Sequence, residues 1–175
     1  MSNIADYRIT TNFGEKDWFH SRPHTGIDLA TPTGTKIYAQ DSGIVSLTID
    51  NLLGNTVRLK LDNGDIIVYG HLSKFEVQNG QYVKQGDLLG LTGGAVGSIN
   101  SGRTTGSHIH ISHYHKGTLI DPTNYLFHHE QQGISSPFIF PVMIILLFII
   151  IFKARKWLFY GLGLFFLIGV VFLVS

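Results

Sequence analysis

The sequence predicts an all-β domain, a small antiparallel sheet or sandwich over residues 1–126, followed by two apolar helices. Three observations predict it. Short apolar or alternating runs rich in β-branched residues fill residues 7–126, broken by glycine and Asn/Asp turns. No stretch before Pro137 sustains a helical period for three turns. Beyond Pro137, two long runs carry no charged residue at all.

Each element has its own justification. "RPHTGIDLA" (22–30) reads as a loop entering a strand, because Pro23 and Gly26 disfavour a helix across His24 to Asp28. "GIVSLTI" (43–49), "NTVRLKL" (55–61) and "DIIVYGHL" (65–72) have strand composition. "LDNGD" (61–65) joins the last two as a hairpin, with Asn-Gly supplying the positive φ angles of a tight turn. "NGQYVKQGDLLGLTGG" (79–94) reads as a second hairpin-like unit with glycines at its corners. A long loop, "GGAVGSINSGRTTGSH" (93–108), leads into "TTGSHIHISHYH" (104–115), which holds four of the nine histidines. "FHHEQQGISS" (127–136) is a polar tether.

"PFIFPVMIILLFIIIF" (137–152) and "WLFYGLGLFFLIGVVFLVS" (157–175) lack the polar face of a helix packed on a globular domain. At ~1.5 Å per residue they reach roughly 24 to 29 Å, close to a ~30 Å hydrocarbon core. Lys153 can snorkel, and Trp157 and Tyr160 suit the interface. They predict a transmembrane hairpin whose basic turn is "KARK" (153–156). Residues 117–136 contain no Lys or Arg, so the positive-inside rule places that turn in the cytoplasm and the domain outside. "MSNIADYRITTN" has no charged region followed by an apolar stretch, so no signal peptide is expected and export would be driven by the hairpin.

Charge and composition narrow the function. All 12 acidic residues and 10 of the 13 basic ones precede Phe138, a balance of −2 without a basic stripe, so nucleic acid is not the expected partner. There are no cysteines, so a metal must sit on histidine, carboxylate and water. Strand parity puts His108 and His110 on one face and Ile109, Ile111, His113 and His115 on the other. A His-x-His pair on a stiff strand suits a metal or catalytic site, and equally a satisfied polar strand face. His24 and Asp28 offer a nitrogen and an oxygen ligand a few residues apart, which with one further histidine make an open three-ligand zinc site. His71 ends an apolar strand, as a catalytic side chain or as an edge histidine in a turn.

"HTGID", "YGHL" and "TTGSHIH", in this order, resemble the motifs of the M23 zinc endopeptidases of lysostaphin and LytM type. The resemblance extends over most of residues 10–126, through "GIDLATPTGTKIYA", "GQYVKQGDLLGLTG" and "DPTNYL". It implies the LytM (duplicated hybrid motif) fold with a groove for an extended peptide. It implies one Zn2+ per chain on His24, Asp28 and His110, with His71 and His108 facing the reaction without binding metal. His108 is the favoured base and His71 the favoured oxyanion stabiliser, and the two roles are exchangeable. The remaining histidines, His20, His113, His115, His128 and His129, are expected to be structural or on the surface. The family usually carries a glutamate where this chain has Ser112, which implies a lost partner for the catalytic histidines.

The resemblance implies a zinc endopeptidase hydrolysing stem or cross-bridge peptides of peptidoglycan, and the apolar runs add the expectation of a membrane anchor. The membrane is a bacterial cytoplasmic one or an internal one of a phage, with a phage virion lytic protein as the favoured setting over a bacterial wall-remodelling or conjugation factor. The alternative is a non-catalytic LytM-like domain that binds wall or activates another hydrolase, although such domains usually lose ligands and all five motif residues stand here. A lipoyl- or biotinyl-type carrier, prompted by "GQYVKQGDLLG", is set aside because neither Met1 nor Met143 lies beside that hairpin.

Overall fold

The structure, a computed structural model, describes residues 4–16 and 22–128. A 3-10 turn (Ile4–Asp6) precedes ten strands and one short helix. The strands are β1 (Ile9–Thr11), β2 (Ile27–Leu29), β3 (Lys36–Tyr38), β4 (Gly43–Asp50), β5 (Gly54–Leu61), β6 (Ile66–Phe75), β7 (Tyr82–Val83), β8 (Leu88–Thr92), β9 (Ile109–His115) and β10 (Thr118–Ile120), and the helix is α1 (Thr123–His128). Every pairing is antiparallel. The sheet runs β1-β2-β9-β6-β5-β4-β7, with β10 added to β9 and with β8 pairing both β6 and β3. The chain divides into two units, Met1–Glu130 and Gln131–Ser175, and the described residues all lie in the first. The predicted transmembrane runs 137–152 and 157–175, their turn 153–156, and most of the tether 127–136 lie outside the described residues. Among the described residues, no helix is long and apolar enough to cross a membrane.

β9 explains how the sheet serves two purposes. Its odd positions Ile109 and Ile111 are fully buried in the apolar core beside Ile27, Leu29 and Tyr69, each stabilising the fold by roughly 1.5–3 kcal/mol. Its even positions His110 and Ser112 are also buried, on the opposite face. The central strands β2, β9 and β6 therefore present a polar face supported from behind by core side chains that cannot move without opening a cavity.

Two turns differ from the sequence expectation. The β5–β6 connection is the expected hairpin, but its turn is a three-residue loop: Gly64 N–H donates to the Leu61 carbonyl at 3.0 Å, and Leu61 N–H to that of Asp65 at 2.8 Å. Only Gly64 takes a positive φ there (92°), because a three-residue hairpin needs one left-handed residue, not two. The 79–94 unit is not a hairpin. β7 pairs with β4, whereas β8 pairs with β3 and β6. Gly86 N–H donates to the Ala39 carbonyl and Ala39 N–H to that of Asp87, both at 2.8 Å, so the connection between β7 and β8 is held by the segment that joins β3 to β4.

The same structure accounts for half of the histidine-rich strand. His113 Nε2–H donates to Asp65 Oδ2 at 2.9 Å and His115 Nδ1–H to Asp65 Oδ1 at 2.8 Å. The His113 ring is buried 5.3 Å from that of Tyr125 in α1. These two histidines fasten the end of β9 to the start of β6. Burial pushes the Asp65 carboxyl upward, but the two imidazole donors outweigh it and hold the group below the usual carboxylate range. A depressed folded pKa stabilises the fold above the ordinary carboxyl range, and the contribution is lost as pH falls through the depressed value. Asp65→Asn is expected to lower stability by about 1–3 kcal/mol near neutral pH and to flatten acid unfolding. Thermal melts across pH check both effects.

Candidate metal and catalytic site

Cross-strand register assembles the polar face. Asp28 in β2 stands opposite His110 in β9, and Gly70, next to His71, pairs with His110 from the other side. His24 reaches the same point from the loop before β2, its backbone clamped by Gly14 N–H to the His24 carbonyl and His24 N–H to that of Glu15, both at 2.9 Å. Gly26 is required between them. A Cβ there would collide with the Ile111 carbonyl oxygen and lie 2.8 Å from His110 Nε2. The glycine of "HTGID" thus lets the loop lie directly on β9.

The three residues expected to hold metal converge. His24 Nε2 lies 3.1 Å from His110 Nδ1 and 3.2 Å from Asp28 Oδ1, and His110 Nδ1 lies 2.9 Å from Asp28 Oδ1. All three residues are buried, and among the described residues they are the one group of His, Asp and Glu with metal-holding spacing. Each ring is turned by its other nitrogen. His24 Nδ1–H donates to the Asn12 carbonyl at 3.2 Å, and His110 Nε2–H to Ser112 Oγ at 2.9 Å. With those protons placed, the inward atoms are two bare nitrogens and a carboxylate oxygen, three lone pairs about 3 Å apart that repel unless a cation or proton sits among them. A tetrahedral zinc with ~2.0–2.1 Å bonds spaces its ligand atoms by about 3.3 Å, so the donor set fits that ion.

Electrostatics agree. Burial alone would raise the Asp28 carboxyl, but the hydrogen bonds from His110 and His24 hold it far below the usual carboxylate range. His110 is lowered by its burial, against the pull of Asp28. His24, also penalised by burial, is raised on balance because Asp28 and the Asn12 carbonyl favour its proton. In the metal-free chain Asp28 thus favours a proton on His24, which zinc must displace.

His71 and His108 stand beside this triad. Their ring centroids are 4.5 Å apart, and His71 is 6.2 Å from His110. His108 Nε2 is 3.8 Å from Asp28 Oδ1, outside the converged set. His71 adopts φ 57°, a left-handed conformation that costs an ordinary residue on the order of 1–3 kcal/mol. Two contacts impose it: His71 N–H donates to the Leu53 carbonyl at 2.6 Å, and Nδ1–H donates to that of Ser101 at 2.7 Å. Gly54 permits the approach, since a Cβ there would collide with the Asn100 carbonyl. Burial pushes the His71 imidazole down to about 4, against the pull of Ser101. It is neutral at pH 7, with Nε2 bare.

Sequence reading missed the partners more than the residues. Asn12 and Ser101 act through backbone carbonyls, which leave no trace in residue type. Ser112 had a legible signal, because it shares parity with His108 and His110. At the position where the family usually carries a glutamate, the buried Ser112 hydroxyl bonds His110 rather than His71 or His108. Ser112→Ala is expected to weaken zinc binding about 10-fold, as removal of an outer hydrogen-bond partner does, measurable by competition with a chelator. His20 and His129 lie outside the described residues, and His128 closes α1.

The comparisons agree with this geometry. The model of the family described as Peptidase family M23 matches residues 22–122, which include all five residues above. Peptidoglycan DD-endopeptidase ShyA of Vibrio cholerae is 37% identical over 111 residues, covering 61% of this chain and 24% of the relative. This chain therefore spans about a quarter of that relative's length. Among solved structures, the catalytic domain of the antimicrobial peptidase lysostaphin from Staphylococcus simulans matches with a TM-score of 0.62 and 27% identity, covering 70% of this chain and 94% of that one. A zinc-containing peptidase from Vibrio cholerae matches with a TM-score of 0.57 and 30% identity, covering 65% of this chain and 35% of that one. With more than half of its length inside the family match and a zinc-compatible triad at the centre of that match, the chain belongs to peptidase family M23, whose members are zinc metallopeptidases.

Proposed function

We propose that this chain is a zinc endopeptidase that cuts the stem or cross-bridge peptides of bacterial peptidoglycan, anchored to a membrane by residues 137–175. The observation that carries the catalytic part is the pairing of a complete ligand triad with two histidines that present bare Nε2 atoms beside it. Relatives named as a peptidoglycan endopeptidase and an antimicrobial peptidase support the substrate class. Zinc on His24, Asp28 and His110 supplies Lewis acidity toward water and the scissile carbonyl.

The chain's own groups handle the proton. His108 Nε2 takes it from the attacking water, and a charge formed there finds the Asp28 carboxylate oxygen 3.8 Å away. His108 then returns the proton to the leaving amine, so the ring ends as it began. His71 resists protonation and keeps its Nε2 as a hydrogen-bond acceptor that orients the water. In its protonated form it would donate to an oxyanion, the stabilising role that the resemblance implies for it.

The uncharged runs 137–152 and 157–175 around "KARK" support the membrane anchor, with the domain outside. An enzyme tethered in this way acts where a membrane meets the wall. A phage internal membrane during infection is one such place, and we extend the reading to a virion lytic protein on that ground.

The test is digestion of purified peptidoglycan by the zinc-loaded full chain in detergent, with fragments read by mass spectrometry. New peptide termini that disappear with chelator are expected. Intact wall across several peptide chemotypes, despite stoichiometric zinc, would replace this reading by a wall-binding or hydrolase-activating domain.

A further inference from the structure

We propose that Thr104 is a positioning residue for His108: its hydroxyl fixes the turn whose Gly106 carbonyl holds the His108 ring with Nδ1 protonated and Nε2 bare. This rests on the reading of His108 as the group that takes the water's proton. Four contacts meet at the one hydroxyl. Thr104 Oγ1 lies 2.7 Å from the Gly94 carbonyl oxygen, 2.8 Å from that of Gly106, 3.2 Å from Gly106 N and 3.3 Å from His108 Nδ1. His108 Nδ1 lies 2.7 Å from the Gly106 carbonyl oxygen.

The inventory of donors decides the arrangement. A hydroxyl gives one hydrogen and takes two. Gly106 N–H can only donate, so one Thr104 lone pair receives it. The Gly106 carbonyl can only accept, and at 2.7 Å from His108 Nδ1 it demands a proton on that nitrogen. The Gly106 carbonyl has two lone pairs, so it takes His108 Nδ1–H on one, and the single Thr104 hydrogen closes the turn on the Gly94 carbonyl at 2.7 Å or on the Gly106 carbonyl at 2.8 Å. The opposite tautomer would set a bare Nδ1 against a carbonyl oxygen at 2.7 Å, two lone pairs in contact.

The hydroxyl also closes the loop on itself. Gly94 follows Gly93, which bridges His108 in antiparallel fashion, and a Cβ on Gly94 would lie 3.0 Å from the His108 carbonyl. Thr104 thereby ties the start of the 93–108 loop to its end, one residue pair away from β9. That fixes both the height of the His108 ring above Asp28 and its tautomer. Thr104 touches neither ligand nor reacting atom. Its effect runs through the histidine.

The test uses the zinc-loaded full chain with 15N-labelled histidine. Long-range 15N–1H correlation of the His108 ring is expected to show the Nδ1–H tautomer, with Nε2 unprotonated. Thr104→Val, which keeps the branch and loses the hydroxyl, is expected to give mixed tautomers. It should lower kcat on purified peptidoglycan about 10-fold or more, with the apparent KM and zinc content little changed. Thr104→Ser restores the hydroxyl and is expected to recover both the tautomer and the rate.

Wild-type chain showing Nε2–H at His108 overturns the proposal, whether or not the valine variant folds. A valine variant with the wild-type tautomer and rate overturns it too, as does a serine variant no better than valine. If His108→Ala retains full activity, the catalytic reading of His108 fails. The tautomer measurement needs no turnover, so it separates that failure from failure of the Thr104 contact.

Discussion

Asp28→Ala is expected to abolish zinc binding at micromolar metal and to reduce peptide-bond hydrolysis about 10⁴-fold, the rate equivalent of the several kcal/mol that a metal centre supplies to such a reaction. The reason is that Asp28 is the anionic corner of the triad. Its Oδ1 lies 2.9 Å from His110 Nδ1 and 3.2 Å from His24 Nε2, and no other described carboxylate has that spacing. Two neutral imidazoles alone would leave a weaker site whose divalent charge is uncompensated. The fold should survive, because Asp28 is held in the sheet by its backbone: it pairs with His110 in β9, and its carbonyl accepts the Thr10 hydroxyl at 3.2 Å. The check has two arms, zinc content by mass spectrometry and thermal melting with and without added zinc. Wild-type chain should gain stability with zinc by linkage, whereas the variant should not. Stoichiometric zinc in the variant would mean that the ligand set lies elsewhere.

Acidification should reproduce part of that loss without mutation. His24 is raised above its ordinary value in the metal-free chain, so its proton begins to compete with zinc before pH has fallen to the ordinary histidine value. Zinc retained at pH 5 with unchanged affinity would contradict this competition.

How much of this was legible before the fold was known depends on what carried each feature. His24, Asp28, His71, His108 and His110 announce themselves by type and spacing, and strand parity alone places Ser112 with His108 and His110. Parity also assigned His113 and His115 to the other face, although the carboxylate that receives them, Asp65, sits 48 residues before His113 and has no sequence mark. Turns were less readable. "LDNGD" signals a hairpin, but the choice between two and three loop residues depends on the register that β5 and β6 take against their other neighbours. The 79–94 unit misled for a related reason: glycine corners report that the chain turns, and the partner of each strand is chosen by long-range pairing. Least legible were the groups that orient the site, since the carbonyls of Asn12, Ser101 and Gly106 could belong to any residue. The expected membrane hairpin remains an argument from hydropathy, carried by the sequence of residues 137–175.

His108→Ala and His71→Asn should both retain zinc and lose turnover, by about 10²–10⁴-fold for the residue that takes the proton. Alanine is the wrong substitution at position 71. Its backbone there sits at φ 57°, where alanine is strained, so a loss of activity could follow from a shifted loop. Asparagine tolerates that conformation, and its amide can donate to the Ser101 carbonyl in place of Nδ1–H. The two singles should differ in their remaining pH dependence. His71 is held down to about 4 and stays neutral through the working range, so removing it should lower the plateau without moving the acid limb near neutrality. Removal of His108 should remove whatever limb the proton acceptor sets. In the double variant the losses should fall well short of multiplying, because a water that is no longer oriented gains little from a base that is present. Multiplicative losses would instead mean that the two rings serve separate steps, with His71 acting on the carbonyl side after all.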